Sequence, residues 1–127
     1  YMIDKLKILV VDDSLSARML LKSALSESIK KNSDFFEASN GEEAVEIFKQ
    51  ENPNIIFMDL TMPKMNGMEA LQEIKKISPE AIVVMVTADR QKETKKELVA
   101  AGAANVLNKP VDEDELREIC AKIAFGG

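Results

Sequence analysis

Acidic, hydroxyl and amine side chains follow short apolar runs of this sequence, and such groups bind metal ions and phosphoryl oxygens. Asp12 and Asp13 come directly after one apolar run, and Asp59 ends another. Thr87 ends a third run, and Lys109 directly follows a fourth. Open parallel α/β sheets bind their ligands outside the carboxyl ends of the strands. If the four runs are strands of one such sheet, the five side chains should meet at one edge.

Three carboxylates within a few ångströms of one another repel, and a cation relieves that repulsion. Carboxylate and carbonyl oxygens without histidine or cysteine suit a hard ion. Mg²⁺ accepts a few protein oxygens together with water, so the sequence predicts Mg²⁺, with Mn²⁺ as a substitute. A lysine and a hydroxyl beside such a metal form a receptor for an oxyanion, and a carboxylate can itself accept a phosphoryl group as an acyl phosphate.

Two residue types restrict the chemistry further. The chain has no histidine, which excludes Ser-His-Asp and Cys-His catalysis and metal binding by imidazole. Its one cysteine, Cys120, lies in an apolar-periodic stretch. This position predicts a buried structural thiol and not a nucleophile.

Apolar runs alternate with amphipathic stretches along the chain. The runs predict five strands, over residues 7–11, 35–39, 54–59, 81–87 and 104–108. The stretches predict five helices, over residues 14–29, 42–50, 68–77, 90–101 and 112–125. Strict alternation of this kind predicts an α/β domain, a five-stranded parallel sheet with helices on both faces in a three-layer sandwich.

Residues typical of helix ends agree with these boundaries. The predicted N-caps are Ser14, Asn40, Asn66 and Asp112, the last with Glu115 placed for a capping box, and Gly102 is predicted to end the fourth helix. In the first helix the apolar spacing runs through Leu15, Met19, Leu20 and Leu25. The first half of the fourth helix has no apolar stripe, which indicates either a solvated face or a loosely held element.

The composition is that of one globular domain. Of 127 residues 46% are hydrophobic, so we expect a single domain over 1–127 with its core between about residues 5 and 125. A net charge of −5 and a pI near 4.9 argue against a nucleic-acid-binding or anionic-membrane-binding surface. No apolar run approaches the ~20 residues of a bilayer span, and the first residues show no signal-peptide pattern. We therefore expect a cytoplasmic protein.

Four segments together resemble a known family. They are "ILVVDDS", "IIFMDLTMPKMNGMEAL", "VVMVTA" and "GAANVLNKP", and in this order and spacing they are similar to the response-regulator receiver domain of two-component signal transduction. The resemblance extends from about Lys5 to Phe125. It implies a flavodoxin-like fold with strand order 2-1-3-4-5.

The resemblance also implies a metal site and a phosphoacceptor. Asp59 is similar to the phosphoacceptor of this family. The implied Mg²⁺ ligands are the carboxylates of Asp13 and Asp59 and the backbone carbonyl of Thr61, with Asp12 acting through water.

A second group of residues is implied to bind the phosphoryl group. Lys109 resembles the lysine that pairs with it, Thr87 resembles the switch hydroxyl, and the backbone N–H groups of Leu60 and Ala88 are the implied donors to its oxygens. The bond before Pro110 is implied to be cis.

The implied reaction is transfer of a phosphoryl group from a phosphohistidine to Asp59, which makes the chain a signalling phosphoacceptor and not an enzyme. Because the chain has no histidine, a sensor histidine kinase or phosphotransfer protein must supply the phosphohistidine. The downstream target, or a fused output domain, is not indicated. The chain is expected to be either a stand-alone regulator or the receiver of a longer protein.

Some positions depart from the family pattern or are expected to tune it. Val106 stands where receivers often have an aromatic switch residue, and Val111 stands where phenylalanine often follows Lys-Pro. The polar fourth helix is therefore expected to take more of the switching. Thr61 and Asp89 are expected to flank the path of a hydrolytic water and to tune the lifetime of the phosphorylated state.

Three other functions fit the sequence less well. A Mg²⁺-dependent phosphohydrolase with an aspartyl-phosphate intermediate, of the haloacid-dehalogenase type, needs an aspartate two residues after the nucleophile, where this chain has Thr61. A flavodoxin-like cofactor binder is disfavoured because Asp12 and Asp13 would repel the cofactor phosphate. A receiver that binds partners without phosphorylation is disfavoured because all the acidic, hydroxyl and amine positions are present.

Overall fold

The computed structural model describes residues 5–124 as alternating strands and helices. The strands are β1 (Leu6–Val11), β2 (Ser33–Ala38), β3 (Ile55–Asp59), β4 (Val83–Thr87) and β5 (Asn105–Asn108). The helices are α1 (Leu15–Ala24), α2 (Glu27–Lys31), α3 (Gly41–Glu51), α4 (Gly67–Ile77), α5 (Lys92–Ala100) and α6 (Glu113–Ala124).

All strands belong to one parallel sheet with the order β2-β1-β3-β4-β5. The expected strand order and fold class are therefore confirmed. The order reverses direction at β1, so the loops after β1 and β3 diverge to opposite faces and leave a crevice between them. The C-terminal ends of these two strands carry the acidic residues identified in the sequence.

Helices cover the sheet on both faces, which explains why β3 and β4 are buried at every position. One apolar layer joins α3, α4 and α5 to the sheet and includes Phe48, Leu71 and Leu98. The other joins α1 and α6 to the sheet and includes Phe57 and Leu116. Both layers are fully packed against the same strands, whose successive side chains alternate between them.

The expected number of helices was wrong, because the first predicted helix is divided in two. Leu25 has ψ 152° and Ser26 has ψ 156°, both extended, and these two residues separate α1 from α2. The Ser26 hydroxyl accepts a hydrogen bond from the Ile29 N–H and so caps a new helix. A serine that caps in this way competes with continuation of the helix before it.

The face that α1 buries also differs from the expected one. Leu15, Met19 and Leu20 are exposed, and Leu20 retains 71% of its accessible surface. Leu25 packs into the core as expected, and Leu21 packs there in place of the other three. Both faces of α1 carry leucine, so apolar spacing alone selects the wrong one.

Most predicted helix ends are confirmed. Ser14, Asn40 and Asn66 accept hydrogen bonds from the first turns of their helices, and Gly102 has φ +109° after α5. Asp112 also caps its helix as predicted, because its carboxylate accepts from the Asp114 N–H in the first turn at 3.0 Å.

The capping box expected with Glu115 is absent from the hydrogen bonds of the described residues. Strand boundaries shift by up to two residues, and β2 begins at Ser33 instead of residue 35. The predicted end of the last helix at Phe125 lies outside the described residues.

The remaining expectations about helices concern burial. Only Leu98 is buried in α5, in agreement with its polar sequence. Cys120 is buried in α6 as expected, and this burial raises the pKa of its thiol to about 11. None of the helices within residues 5–124 combines the length and the unbroken apolar sequence that a bilayer crossing requires.

Candidate functional site

An acidic pocket lies where β1 and β3 end side by side. Asp12 and Asp13 follow β1, and Asp59 is the last residue of β3. One carboxylate oxygen from each of the three lies within 4.8 Å of the others. Asp12 and Asp59 retain only 6% and 8% of their accessible surface, whereas Asp13 is exposed. The pocket therefore has two buried carboxylates and one that faces solvent.

Asp12 is fixed on several sides. Its Oδ1 accepts from the Ser14 N–H at 2.9 Å, and its Oδ2 accepts from Lys109 Nζ at 2.9 Å. The backbone carbonyl of Asp12 accepts from Arg18 Nη1 at 2.6 Å. Arg18 is itself held by Glu37 of β2, whose Oε1 lies 2.7 Å from Arg18 Nε. Asp12 is thus positioned by backbone and cationic donors and has little freedom to turn.

Asp59 is a buried acid that faces the pocket from the end of β3. Its Oδ1 accepts from the Leu60 N–H at 3.0 Å and lies 3.3 Å from Lys109 Nζ. Burial raises the pKa of Asp59, and the Asp12 carboxylate raises it further, while Lys109 acts in the opposite direction without cancelling the rise. The ionised form of Asp59 is therefore destabilised in the fold, so an added cation is favoured next to it.

Lys109 reaches into the pocket from the end of β5. Burial alone would lower the pKa of Lys109, but the hydrogen bond to Asp12 and the charge of Asp59 outweigh this and raise it. The lysine is therefore a fixed positive charge between the two buried carboxylates. Lys109 supplies one positive charge against the three negative charges of the carboxylates. A bound cation is therefore expected to balance only the negative charge that Lys109 leaves.

Two glycines shape the loop between β3 and α4, which carries Leu60 and Thr61. The Gly67 N–H donates to the Leu60 carbonyl at 2.8 Å, and a Cβ at Gly67 would collide with the Asp59 carbonyl. A Cβ at Gly41 would collide with the Met65 backbone in the same way. The loop is therefore drawn close to β3 and α3, which leaves Thr61 exposed beside the pocket.

Thr87 and Ala88 lie at the end of β4, next to β3. Thr87 is buried, and its Oγ1 accepts from the Asp89 N–H at 3.0 Å. The Asp89 carboxylate accepts from the Gln91 N–H at 2.9 Å and from Thr94 Oγ1 at 2.7 Å, which lowers the pKa of Asp89. Thr87 is therefore held towards its own loop in this structure, and Asp89 is engaged with the start of α5.

The residues that depart from the family pattern lie near the end of β5. Val106 is buried opposite Met85, and Val111 packs against the apolar layer that joins α1 and α6 to the sheet. The bond between Lys109 and Pro110 is cis. A valine at position 106 has no ring that could move between a buried and an exposed position.

Sequence reasoning missed two polar residues here. Arg18 holds the Asp12 carbonyl, and Asn108 donates from Nδ2 to the Thr87 carbonyl at 3.2 Å and the Asp89 carbonyl at 2.9 Å. The sequence offers one weak signal for Asn108, since an amide directly before Lys109 is an unusual choice for the last residue of a strand.

The residues of the pocket fit a divalent cation. Their side-chain donors are all carboxylate oxygens, which hard cations prefer over nitrogen or sulfur. The exposed carboxylate of Asp13 gives an ion access from solvent. Lys109 leaves a net negative charge in the pocket, so a cation would relieve the cost of burying Asp12 and Asp59.

The comparison with family models identifies the fold and the class of protein. Residues 8–121 match the model of the response regulator receiver domain, which covers most of the chain. The chain belongs to the response-regulator receiver-domain family. As a receiver domain, it is a phosphoacceptor of two-component signalling and has a non-catalytic signalling role.

Individual relatives agree with this assignment. The receiver domain is 37% identical over 118 residues to the chemotaxis protein CheY of Thermotoga maritima, which covers 93% of this chain and 97% of the relative.

Two solved structures share the flavodoxin-like fold. The CheX-CheY-BeF3-Mg+2 complex from Borrelia burgdorferi matches with a TM-score of 0.83 and 28% identity over 96% of this chain and 90% of that one. The complex of the Saccharomyces cerevisiae histidine phosphotransfer signaling protein Ypd1 with the receiver domain of Ssk1 matches with a TM-score of 0.84 and 27% identity, over 98% and 92%.

The family assignment does not favour the phosphohydrolase alternative. Such an enzyme needs a second carboxylate two residues after its nucleophile to act as acid and base. That residue is Thr61, which has no titratable carboxyl group.

Proposed function

We propose that this receiver domain accepts a phosphoryl group on Asp59 from the phosphohistidine of a sensor histidine kinase or phosphotransfer protein, with Mg²⁺ bound in the acidic pocket. The observation that carries the proposal is the pairing of Lys109 Nζ with both buried carboxylates, at 2.9 Å from Asp12 and 3.3 Å from Asp59. A fixed ammonium beside a carboxylate that ends a central strand is what phosphoryl transfer to that carboxylate requires.

The proposed step is a single displacement at phosphorus. A carboxylate oxygen of Asp59 forms the new P–O bond as the P–N bond of the phosphohistidine breaks. The electron pair of the broken bond stays on the imidazole nitrogen, and the product on this chain is an acyl phosphate. The protein contributes alignment and charge stabilisation and needs no acid or base of its own.

Residues around Asp59 are proposed to bind the transferred oxygens. Lys109 pairs with one of them, and the backbone N–H groups of Leu60 and Ala88 donate to others. Thr87 turns from the Asp89 N–H towards the phosphoryl group when that group is present. Lys109 and the two backbone N–H groups are fixed at strand ends before the reaction, so among these donors only Thr87 has to reorient.

The carboxylates of Asp12, Asp13 and Asp59 and the Thr61 carbonyl are proposed to hold Mg²⁺, with Asp12 acting through water and Mn²⁺ able to substitute. Bound there, the ion neutralises charge on the phosphoryl oxygens. Asp13 would give the ion access from solvent, because it is exposed and the other two acids are buried.

Phosphorylation is proposed to change the surface formed by β4, α5 and β5. The product adds up to about two negative charges to the edge of the sheet. The domain then returns to its starting state by hydrolysis that it assists itself, with Thr61 and Asp89 tuning the rate. The proposed output is a partner protein or fused domain that recognises the altered surface. With a sensor histidine kinase or phosphotransfer protein as the donor, the reaction is proposed to take place in the cytoplasm.

Transfer between two proteins tests this proposal. A histidine phosphotransfer protein carrying radiolabelled phosphohistidine is mixed with this chain in Mg²⁺. We expect the label to move to the wild type but not to Asp59→Asn, and to stay on the donor when EDTA is added. Label that reaches Asp59→Asn as efficiently as the wild type would refute Asp59 as the acceptor.

A further inference from the structure

The side chain of Asn108 joins the end of β5 to the loop after β4. Its Nδ2 donates to the carbonyls of Thr87 and Asp89, at 3.2 Å and 2.9 Å, and it lies directly before Lys109 in the chain. These two carbonyls flank Ala88, so one amide group holds the backbone on both sides of that residue. Asn108 is half-buried, which protects these hydrogen bonds from competition with water.

The direction of the Thr87 carbonyl fixes the direction of the next N–H. Thr87 C=O and Ala88 N–H belong to one trans peptide unit, in which the two groups point in opposite directions. The Thr87 oxygen accepts from Asn108 Nδ2 and from the Lys109 N–H at 2.9 Å, and both donors lie on the β5 side. The Ala88 N–H therefore points away from β5, to the side where β3 ends at Asp59.

The Lys109 N–H shares the Thr87 carbonyl with Asn108, but among the hydrogen bonds of residues 5–124 only that of Asn108 also reaches the Asp89 carbonyl. Val106, where an aromatic switch residue is expected, has no polar group. Arg90 donates from Nη2 to the Lys109 carbonyl at 3.1 Å, which ties the same two loops together but does not contact the carbonyls around Ala88.

We propose that Asn108 is a positioning residue for phosphoryl acceptance, whose amide orients the Thr87–Asp89 segment so that the Ala88 N–H faces the phosphoryl group on Asp59. The inference rests on the proposed phosphorylation of Asp59. Because the amide acts on a donor to the phosphoryl oxygens and not on the carboxylates that bind Mg²⁺, it affects the phosphorylated state more than metal binding.

The test compares Asn108→Ala with Asn105→Ala, a matched control at the other end of β5. Asn105 is exposed, and within residues 5–124 its Oδ1 accepts only from the N–H of the next residue, Val106. Each protein is treated with acetyl phosphate and Mg²⁺, and the lifetime of the phosphorylated state is measured. We expect Asn108→Ala to shorten that lifetime roughly three- to tenfold, the effect of one weakened hydrogen bond, and Asn105→Ala to leave it unchanged.

A spectroscopic signal separates positioning from general destabilisation. The ¹⁵N-resolved amide resonance of Ala88 is followed while beryllium fluoride, a phosphoryl mimic, is added with Mg²⁺. In the wild type we expect a large downfield shift of the Ala88 proton, and in Asn108→Ala a shift less than about half as large, with Mg²⁺ affinity unchanged. Asn108→Gln, which restores an amide, is expected to recover most of the shift and carries the test if the alanine variant unfolds.

Two results would overturn the inference. One is a wild-type lifetime and a wild-type Ala88 shift in Asn108→Ala, and the other is an equal loss in the alanine and glutamine variants. A wild-type protein that forms no phosphoryl adduct would instead contradict the proposed function itself, so the two failures are distinguishable.

Discussion

At the residue scale, the three carboxylates of the pocket differ in burial and therefore in what their removal should do. Asp12 and Asp59 are buried and paired with Lys109, whereas Asp13 is exposed. Removing the charge of an exposed residue changes the electrostatics of the pocket with little effect on packing.

We predict that Asp13→Asn lowers Mg²⁺ affinity roughly tenfold or more, because the number of charged ligands sets the affinity of such sites. Phosphorylation by a small phosphodonor should fall with it, while the unfolding transition stays close to that of the wild type. Isothermal titration calorimetry measures the affinity. The control is Asp34→Asn, an exposed aspartate near the start of β2 that lies opposite Lys7, at the other end of β1 from the pocket, and pairs with Lys5 at 3.6 Å. Equal Mg²⁺ affinity in both variants would count against Asp13 as a ligand.

We also predict that Asp59→Asn is more stable than the wild type at pH 7 in the absence of divalent metal. The folded-state pKa of Asp59 is raised, chiefly by burial, so the ionised carboxylate destabilises the fold above that pKa. As the pH falls through the raised pKa, the wild type becomes protonated and the difference should shrink. Urea unfolding in EDTA at several pH values measures this, and a variant less stable than the wild type at pH 7 would show that the sign is wrong.

At the element scale, α1 shows how packing overrides a sequence pattern. Leu20 and Leu21 are adjacent on this helix, but they retain 71% and 7% of their accessible surface. We predict that Leu21→Ala costs about 2–5 kcal/mol of unfolding free energy and that Leu20→Ala changes it by less than about 0.5 kcal/mol. Chemical denaturation measures both, and a larger cost for Leu20→Ala would mean that the helix is rotated from the orientation described.

The same helix marks the limit of prediction from the sequence. β3 and β4 could be predicted from the sequence because both of their faces are buried, so that their residues before Asp59 and Thr87 are all apolar. The first helix was misread because leucines lie on both of its faces. The break at Ser26 depends on one hydroxyl that caps a new turn, and a serine in a helical pattern does not reveal whether it caps or continues the helix.

At the scale of the whole molecule, the sheet order explains why distant residues form one site. Asp12, Asp59, Thr87 and Lys109 are far apart in the chain, but their strands are neighbours in the order β1-β3-β4-β5. These four residues could therefore be predicted from their positions at strand ends and from the resemblance to receiver domains. The supporting contacts of Arg18 and Asn108 could not, because their partners are backbone carbonyls that become neighbours only in the fold.

The fold also explains how one pocket holds opposing charges. Lys109 arrives from β5 and neutralises part of the acidic pair, while Asp13 remains open to solvent. The molecule is thereby left with a negatively charged recess that favours a cation and, with the cation, a phosphoryl group. Acceptance of that group on Asp59 is the central claim of this account.

Intact mass spectrometry after incubation with acetyl phosphate tests that claim most directly. With Mg²⁺ present, we predict one phosphoryl adduct on the wild type, none on Asp59→Asn, and none on the wild type in EDTA. Asp114→Asn, an exposed aspartate on α6, serves as the matched control and should be modified like the wild type. An adduct of equal yield on Asp59→Asn, or no adduct on the wild type in Mg²⁺, would contradict the account.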